Sequence, residues 1–403
     1  AARLTQWVGT EVPIRVGTFD ALSRKYLKDN DSDAFEACQD VGSYKHQFLS
    51  FLQHSRSPQR LDVLRSMDYL FVDEYQDINT TYHDIISLFA KHGTIVTGVG
   101  DDAQNIYSWN GADMQYILEF GEAFHNDDAM STLPRRPVHT YYLTHNFRST
   151  PEILDVANAS IARNTCQLPK TILPTVDSVC EGVQIYAHHN WQQEVSTILP
   201  MLKEHLQNGK SVAVLCRNCT RNGPLYFYES ELTKVNIPHS LLERYRDHRN
   251  HAEPGVVTLC TIHKSKGLEW DVVVVVGCND TYFPSLDNSV LQQDETSIET
   301  ALTEERRLFY VATTRAKTTL LYTFSCEQTG GHPTQKHITR FLTELPRTLF
   351  QWNNVPPAML CSAPSTYKSA VPRMRSFHKV LDTVVDAHWK QLYAYVSLNA
   401  DWE

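Results

Sequence analysis

The sequence lacks long hydrophobic runs. Its longest purely aliphatic stretch extends from Val272 to Val276, whereas a helix needs about 20 apolar residues to cross a bilayer. A membrane span is therefore not expected. With 403 residues, of which 42% are hydrophobic and 21% charged, the chain has the composition of a globular protein of two or three domains.

Basic residues and patterned cysteines are also scarce. Lys and Arg number 37 against 46 Asp and Glu, a formal net charge of -9, which argues against a protein that coats nucleic acid by bulk electrostatics. The nine cysteines include one close pair, Cys216 and Cys219, without a second pair or a histidine pair at zinc-like spacing. We interpret them as reduced thiols of an intracellular protein, with a metal site at the pair as the alternative.

Short apolar runs that end abruptly in polar residues predict strands. These runs are residues 69–72, 94–99, 211–216, 256–260, 272–276 and 319–324. Because they are apolar throughout, they are typical of strands buried on both faces of a parallel sheet. Helical patterns lie between them, for example at 194–206 and 304–313, so the predicted class is α/β. In such sheets ligands bind beyond the carboxyl ends of the strands.

Adjacent carboxylates, Asp73 and Glu74, directly follow the first of these strands. A carboxylate in this place can hold Mg²⁺ against nucleotide phosphates, and its neighbour can orient or deprotonate an attacking water. A solvated acidic turn is the alternative for the pair taken alone.

Longer motifs appear in a fixed order along the chain. They are GTFDAL (17–22), LFVDEYQD (70–77), GDDAQNIYSWNGA (100–112), NFRST (146–150), TIHKSKGLEW (261–270) and EERRLFYVATTRA (304–316). The first resembles motif Ib, and the other five resemble motifs II to VI, of superfamily 1A DNA helicases of the UvrD/Rep/PcrA type. The resemblance covers roughly residues 16–325. It implies an ATP-dependent 3'-5' translocase or helicase of DNA repair, replication or recombination, with ATP and Mg²⁺ as cofactors.

The resemblance implies a role for each charged residue of these motifs. Asp73 would bind Mg²⁺, Glu74 would be the catalytic base, and Gln104 would sense the γ-phosphate. The guanidinium groups of Arg148 and Arg315 would contact the phosphates from the second lobe, because Arg presents a permanent charge in a planar fork. A surface salt bridge is the alternative for either Arg.

Cofactor-binding and DNA-binding residues follow from the same resemblance. Phe147 would stack on adenine, with a core role as the alternative, and Gly267 and Glu269 would contact the nucleotide, Glu269 at the ribose. Six residues would contact single-stranded DNA: Thr18, Phe19, Tyr107, Trp109, His263 and Lys266. Tyr107 and Trp109 are two positions apart and could project to one side to stack on bases, whereas each of the other four could instead be a packing or capping residue.

The implied fold consists of two RecA-like lobes with mainly parallel sheets, as in P-loop NTPases. We place a first lobe, N-terminally incomplete, at 1–135 with a reduced insertion near 28–66, a second lobe at 136–345, and a C-terminal extension at 346–403. The expected partners are single-stranded DNA and duplex junctions, with no membrane partner. The expected compartment is the cytoplasm, the nucleus or a DNA-containing organelle.

The largest departure from the family is a missing phosphate-binding loop. The motif GxxxxGK[ST] should precede motif Ib, but the first 15 residues do not contain it. The Gly-Lys-Ser at 209–211 has Glu204 in place of the first Gly and precedes a strand instead of following one, so we interpret it as a turn. Without this loop there is no cradle for the β- and γ-phosphates. We therefore expect these residues alone to be inactive, as a fragment of a working helicase; the alternative is a non-catalytic pseudo-helicase that binds DNA or protein partners.

Overall fold

The computed structural model describes residues 14–355, apart from 41, 55–56, 125–136, 177–181, 222, 245–254, 281, 287–289, 291 and 327–336. The chain divides into two compact units: unit 1 holds residues 1–178 and 306–314, and unit 2 holds 179–305 and 315–403. The sequence places the boundary near 135, whereas residues 137–176 pack with unit 1, where Lys170 bonds to Asp101 and Asp102. Most of the predicted C-terminal extension, from residue 356 onward, lies outside the described residues.

Unit 1 combines a helical layer with short parallel strands. Its helices are α1 (Phe19–Asn30), α2 (Ser32–Glu36), α3 (Ser43–His54), α4 (Pro58–Leu64), α5 (Thr80–Lys91), α6 (Gln115–Leu118), α7 (Phe120–Ala123) and α8 (Pro151–Ile161). Its strands are β1 (Tyr69–Val72) and β2 (Ile95–Gly98), which pair in parallel, and β3 (His145–Asn146) and β4 (Leu173–Pro174), which form a second parallel pair. Apolar side chains of α1, α3, α4 and α5 form the core of the helical layer, among them Leu27, Phe51, Leu64 and Phe89.

The sheet of β1 and β2 corrects one prediction. Both strands were expected to be buried on both faces, but Tyr69 and Phe71 are 61% and 72% exposed, whereas Val72 is buried. Val72 packs with Ile86 of α5 on one side of the sheet. In the described part of unit 1, the side of the sheet that bears Tyr69 and Phe71 is therefore open.

Unit 2 contains a seven-stranded parallel sheet. Its strands are β5 (Val183–His188), β6 (Val212–Cys216), β7 (His239–Leu241), β8 (Val257–Thr261), β9 (Trp270–Val275), β10 (Ala316–Ser325) and β11 (Phe350–Asn353), in the order β11-β5-β10-β9-β6-β8-β7. The four runs predicted for this region all lie in the sheet, and the central strands are buried on both faces as expected. The predicted α/β class with a parallel sheet is confirmed.

Helices cover the sheet of unit 2. They are α9 (Trp191–Gln207), α10 (Pro224–Lys234), α11 (Ile262–Ser265) and α13 (Arg340–Thr343), while α12 (Glu295–Thr313) starts in unit 2 and passes into unit 1 at residue 306. Ile198 of α9 and Tyr228 of α10 pack against Val214 and Val274 of the sheet. No helix in the described ranges has the length and apolarity that a membrane span requires.

The Gly-Lys-Ser at 209–211 is a turn, as predicted. Gly209 has a positive φ of 71° and lies between the end of α9 and the start of β6. The Ser211 amide and hydroxyl both donate to the Asp271 carboxylate, at 2.8 and 2.7 Å. These groups tie the turn to β9.

Candidate functional site

The two motifs that follow β1 and β2 meet at one edge of the sheet in unit 1. The strands pair in parallel with Val72 opposite Gly98, so Asp73 and Glu74 emerge beside the segment that begins at Gly100. The Tyr75 amide donates to the Val99 carbonyl at 2.8 Å, which continues the strand pairing past the carboxylates. This edge is where open α/β sheets bind their ligands.

Glu74 adopts an uncommon backbone conformation at this edge. Its φ of 52° and ψ of 44° lie in the left-handed region, which costs a residue with a side chain roughly 1–2 kcal/mol. Its own amide donates to Asp73 Oδ1 at 2.9 Å, and Asp73 and Glu74 are both exposed. Such strain persists where the surrounding structure enforces it, and it is concentrated at functional sites.

A buried glutamine that the sequence analysis missed connects the two motifs. The Gln76 side-chain amide donates to Glu74 Oε2 at 2.5 Å, and its Oε1 accepts the Asp101 amide at 2.9 Å. The Asn105 side chain donates to the Gln76 carbonyl. Gln76 therefore fixes the position of Glu74 relative to the segment after β2. Its place two residues after Glu74 is the signal that could have identified it.

Gln104, the predicted phosphate sensor, lies in a network of carboxylates. Its side-chain amide donates to Asp101 Oδ2 at 2.7 Å. Lys170 donates to both Asp101 and Asp102, and Asp102 is 1% exposed. Burial lowers the pKa of Lys170, but the negative charges of Asp101 and Asp102 outweigh it and hold that pKa above its ordinary value. Lys170, some 66 positions beyond Gln104 in a segment without a recognised motif, was not predicted.

Phe147 and Arg148 follow β3 in a tight turn. The Asn146 side chain accepts the amides of Arg148 and Ser149 at 2.9 and 2.8 Å, which shapes the turn. Phe147 is 81% exposed, so the alternative of a core role is wrong and its ring face is available for stacking. Arg148 is half-buried and donates to the Thr314 carbonyl at 3.1 Å, an interaction different from the surface salt bridge considered as its alternative.

The aromatic pair predicted to stack on DNA bases lies just beyond Gln104. The rings of Tyr107 and Trp109 contact edge to face with centroids 6.0 Å apart, and Trp109 is 73% exposed. Burial, and then the negative charges of Asp77 and Glu74, raise the pKa of Tyr107. The pair lies three and five positions after Gln104, on the same loop beyond β2.

Thr18 and Phe19 have local structural roles in unit 1. The Thr18 hydroxyl caps α1 by accepting the Ala21 amide at 3.2 Å. The ring of Phe19 stacks on Tyr82 with centroids 4.6 Å apart. These contacts match the packing and capping roles that were left open for both residues, although the Thr18 side chain remains exposed.

The predicted residues of unit 2 lie in the segment that joins β8 to β9 and directly before β10. Arg315 is 1% exposed and donates to the Leu268 carbonyl at 3.1 Å, so a surface salt bridge is not its role. Glu269 forms an ion pair with Lys317 at 3.0 Å, and both side chains are partly exposed. Gly267 has a φ of 82°, a conformation that favours glycine, with open space where a Cβ would lie. In the turn between α11 and β9, Glu269 therefore lies two positions after a glycine whose backbone conformation other residues rarely adopt.

His263 and Lys266 lie at the two ends of the short helix α11. Burial, and then the positive charge of Arg217, lower the pKa of His263 to about 4. This imidazole is therefore uncharged at neutral pH. The Lys266 amide donates to the His263 carbonyl at 3.4 Å, which ends the helix.

A third feature missed from the sequence is an ion pair within unit 2. Arg217, directly after β6, donates from Nε and Nη2 to the carboxylate of Glu305 at 2.5 to 2.9 Å. Glu305 also accepts the Ser285 amide at 3.0 Å. Bidentate pairs of this kind are strong and directional, and this one fixes the part of α12 that belongs to unit 2.

Family models and curated relatives agree with the motif assignment. A model described as the UvrD/REP helicase N-terminal domain matches residues 15–125, and one described as the UvrD-like helicase C-terminal domain matches 141–246 and 228–327. A "Probable DNA helicase" of Mycoplasma pneumoniae is 33% identical over 259 residues, which are 62% of this chain and 42% of that protein. The "ATP-dependent DNA helicase PcrA" of Staphylococcus epidermidis is 30% identical over 188 residues, 46% of this chain and 24% of the relative.

Two further matches extend this comparison. PcrA of Leuconostoc citreum is 33% identical over 183 residues, 44% of this chain and 22% of the relative. The solved C-terminal domain of a possible DNA helicase from a Lactobacillus covers 52% of this chain at 16% identity, with a TM-score of 0.35, too low to bear on the fold. The chain spans less than half the length of each of these three curated relatives. From the two family models and these sequence relatives, the chain belongs to the UvrD/PcrA-type superfamily 1 helicases.

Proposed function

We propose that this chain forms the motor core of an ATP-dependent DNA helicase that moves 3' to 5' along one strand in DNA repair, replication or recombination. The observation that carries the proposal is the shared carboxyl edge of β1 and β2. There Gln76 joins Glu74 to Asp101, and the loop that continues through Gln104 exposes Trp109. One short loop therefore carries both a group suited to nucleotide chemistry and a group suited to DNA contact.

The residues at this edge fit Mg²⁺ but supply only part of a nucleotide site. Asp73 is an exposed carboxylate at the end of a strand, and Mg²⁺ in such enzymes is held by one or two carboxylates together with substrate phosphates. A bound Mg²⁺ would neutralise developing charge on the phosphates. The cradle for the β- and γ-phosphates, by contrast, is not encoded in these 403 residues. We therefore propose hydrolysis for the protein in which a GxxxxGK[ST] segment completes unit 1.

Each polar residue of the motifs then has a proposed role. Glu74 would accept a proton from the attacking water, with its carboxylate oriented by Gln76. Gln104, which bonds to Asp101 by its side-chain amide, could exchange that bond for one to a phosphate oxygen. Arg148 and Arg315 would supply permanent positive charge to the phosphates.

The proposed DNA contact is carried by stacking and not by bulk charge. An exposed indole at position 109, braced by the edge of Tyr107, can stack on any base, and stacking contributes about 1–3 kcal/mol per base without regard to sequence. This mode of binding is compatible with a net charge of -9. Single strands and duplex junctions are thus the proposed substrates, in a compartment that contains DNA.

Streptavidin displacement tests directional movement. The full-length gene product, with ATP and Mg²⁺, should strip streptavidin from oligonucleotides biotinylated at the 5' end much faster than from those biotinylated at the 3' end. The matched reaction without ATP should show no displacement. Preference for the 3' biotin would reject the proposed direction.

The second candidate is a pseudo-helicase that binds DNA or protein partners without turnover. It is favoured by one observation, the absence of GxxxxGK[ST] from the 403 residues. It predicts DNA binding that is independent of nucleotide and no displacement from either end. That result with the full-length product would replace the motor by a binding protein.

A further inference from the structure

A group of residues after α8 holds the predicted sensor segment of unit 1, residues 101–105. Lys170 donates to Asp101 and Asp102, and the side chain of Gln167 and the amide of Leu168 donate to Asp102, the latter at 2.7 Å. We call Gln167, Leu168 and Lys170 the clasp, and residues 101–105 the sensor segment. Every member of the clasp is at least 62 positions from the segment that it binds.

The cation of the clasp lies among carboxylates and away from water. The side chain of Lys170 is 12% exposed, and those of Asp101 and Asp102 are 26% and 1% exposed. Two adjacent carboxylates at such depth repel each other unless a cation and hydrogen-bond donors compensate them. Lys170 provides the positive charge, and Gln167 and Leu168 provide donors.

The contacts continue from the clasp to two of the predicted catalytic side chains, Gln104 and Glu74. Asp101, which Lys170 binds, also accepts the Gln104 side-chain amide at 2.7 Å and the Ala103 amide at 3.0 Å. The Asp101 amide donates to Gln76, which in turn donates to Glu74. A single hydrogen-bonded path therefore runs from Lys170 through Asp101 to Gln104 and to Glu74.

An apolar contact supports the same segment from α8. Ala103, which is fully buried, packs with Ala157 and Ile161 of that helix and with Tyr310. The helix α8 begins directly after the turn that bears Phe147 and Arg148 and leads to the clasp. The sensor segment thus contacts both α8 and the residues that follow it.

We propose that Lys170 is a positioning residue for nucleotide turnover, which fixes the sensor segment so that Gln104 and Glu74 keep one geometry. The expected effect on catalysis rests on the proposed function. The effect of Lys170 on the position of the sensor segment does not depend on that function. The same contacts connect Gln104, through the clasp and α8, to the turn that bears Phe147 and Arg148. If Lys170 only compensated the buried charge of Asp102, removing both charges together would leave the geometry of the sensor segment unchanged.

The test uses a charge-balanced double variant, because K170M alone leaves the buried Asp102 and the half-buried Asp101 without a cation and could prevent folding. K170M/D102N removes one charge of each sign and has the net charge of the wild type. The matched control is K234M/E231Q, which removes the exposed pair between Lys234 and Glu231 in unit 2. Hydrogen exchange is measured on the 403-residue chain without nucleotide, at the amides of Asp101, Ala103, Gln104 and Asn105.

We expect these four amides to exchange at least tenfold faster in K170M/D102N, with the amides of α5 unchanged and with the control at wild-type rates. Unchanged exchange in the sensor segment, or an equal increase throughout unit 1, would overturn the inference. In the full-length gene product, we expect kcat for DNA-stimulated ATP hydrolysis to fall at least tenfold while the Kd for single-stranded DNA is kept. Wild-type kcat in K170M/D102N would overturn the catalytic part. A wild-type protein without ATPase activity would instead contradict the proposed function, and the exchange comparison would still decide the role of the clasp.

Discussion

Acid should destabilise unit 2 through a buried histidine at the end of β5. His188 is 3% exposed, and burial lowers its pKa from 6.5 to about 4. Within the described residues its Nε2 atom is buried without a hydrogen-bond partner, so nothing compensates a charge placed there. Between these two pH values the unfolded chain binds a proton at this position and the folded chain does not. Stability therefore falls as pH falls through this window.

The size of the effect follows from the same two pKa values. A difference of one pKa unit corresponds to about 1.4 kcal/mol, so the interval from 6.5 to about 4 allows a loss of up to about 3 kcal/mol from His188. The burial of His263 adds to the loss in the same window, because its pKa is also lowered to about 4. His188→Gln should therefore remove a part of the acid sensitivity and not all of it.

Urea unfolding at a series of pH values between 4 and 7 measures this contribution. The free energy of unfolding of His188→Gln should depend less steeply on pH than that of the wild type, with the two curves converging toward low pH. The matched control is His189→Gln, which changes the adjacent but exposed histidine and should follow the wild-type curve. Parallel curves for the wild type and His188→Gln would refute the reasoning.

Three further predictions concern other parts of the chain. Trp109→Ala should weaken binding to single-stranded DNA by about 1–3 kcal/mol in a fluorescence-anisotropy titration. The control Phe71→Ala, which removes an equally exposed aromatic ring of the same unit, should leave this affinity unchanged. Equal losses of affinity in the two variants would contradict stacking by Trp109. Asp280→Asn should lower the free energy of unfolding, measured in urea, by about 3 kcal/mol. Asp280 is 1% exposed and accepts three 2.9 Å hydrogen bonds from Arg340. An unchanged midpoint of the urea unfolding curve would refute this prediction. Lys210→Ala should leave the ATP affinity of the full-length product unchanged, because Lys210 lies in a turn before a strand. A clear loss of ATP affinity would indicate that Lys210 is a phosphate ligand.

Sequence alone predicted the parts of the site that are local in the chain. Asp73 and Glu74 follow a strand, and Gln104 follows the next, so their meeting at one sheet edge could be inferred from parallel pairing. The strands of unit 2 could be predicted because β6, β8 and β9 are apolar throughout, as sheets covered on both faces require.

The remaining features depend on contacts between distant residues. Lys170 belongs to no motif, and its position beside Asp101 and Asp102 becomes visible only when the chain has folded. The same holds for the pair of Arg217 and Glu305. Tyr69 and Phe71 satisfy the apolar pattern of a buried strand although they are exposed, because hydropathy reports the preference of a side chain and not the presence of a covering layer.

The most direct test of the central claim is the steady-state ATPase of the full-length gene product, with and without single-stranded DNA, for the wild type, Glu74→Gln and the control Glu122→Gln. Glu122 is an exposed carboxylate elsewhere in unit 1. The account predicts DNA-stimulated hydrolysis that falls about 10²–10⁴-fold in Glu74→Gln with nucleotide binding retained, and wild-type rates in Glu122→Gln. Normal hydrolysis in Glu74→Gln, or none in the wild type, would contradict the assignment of the β1–β2 edge as the catalytic centre.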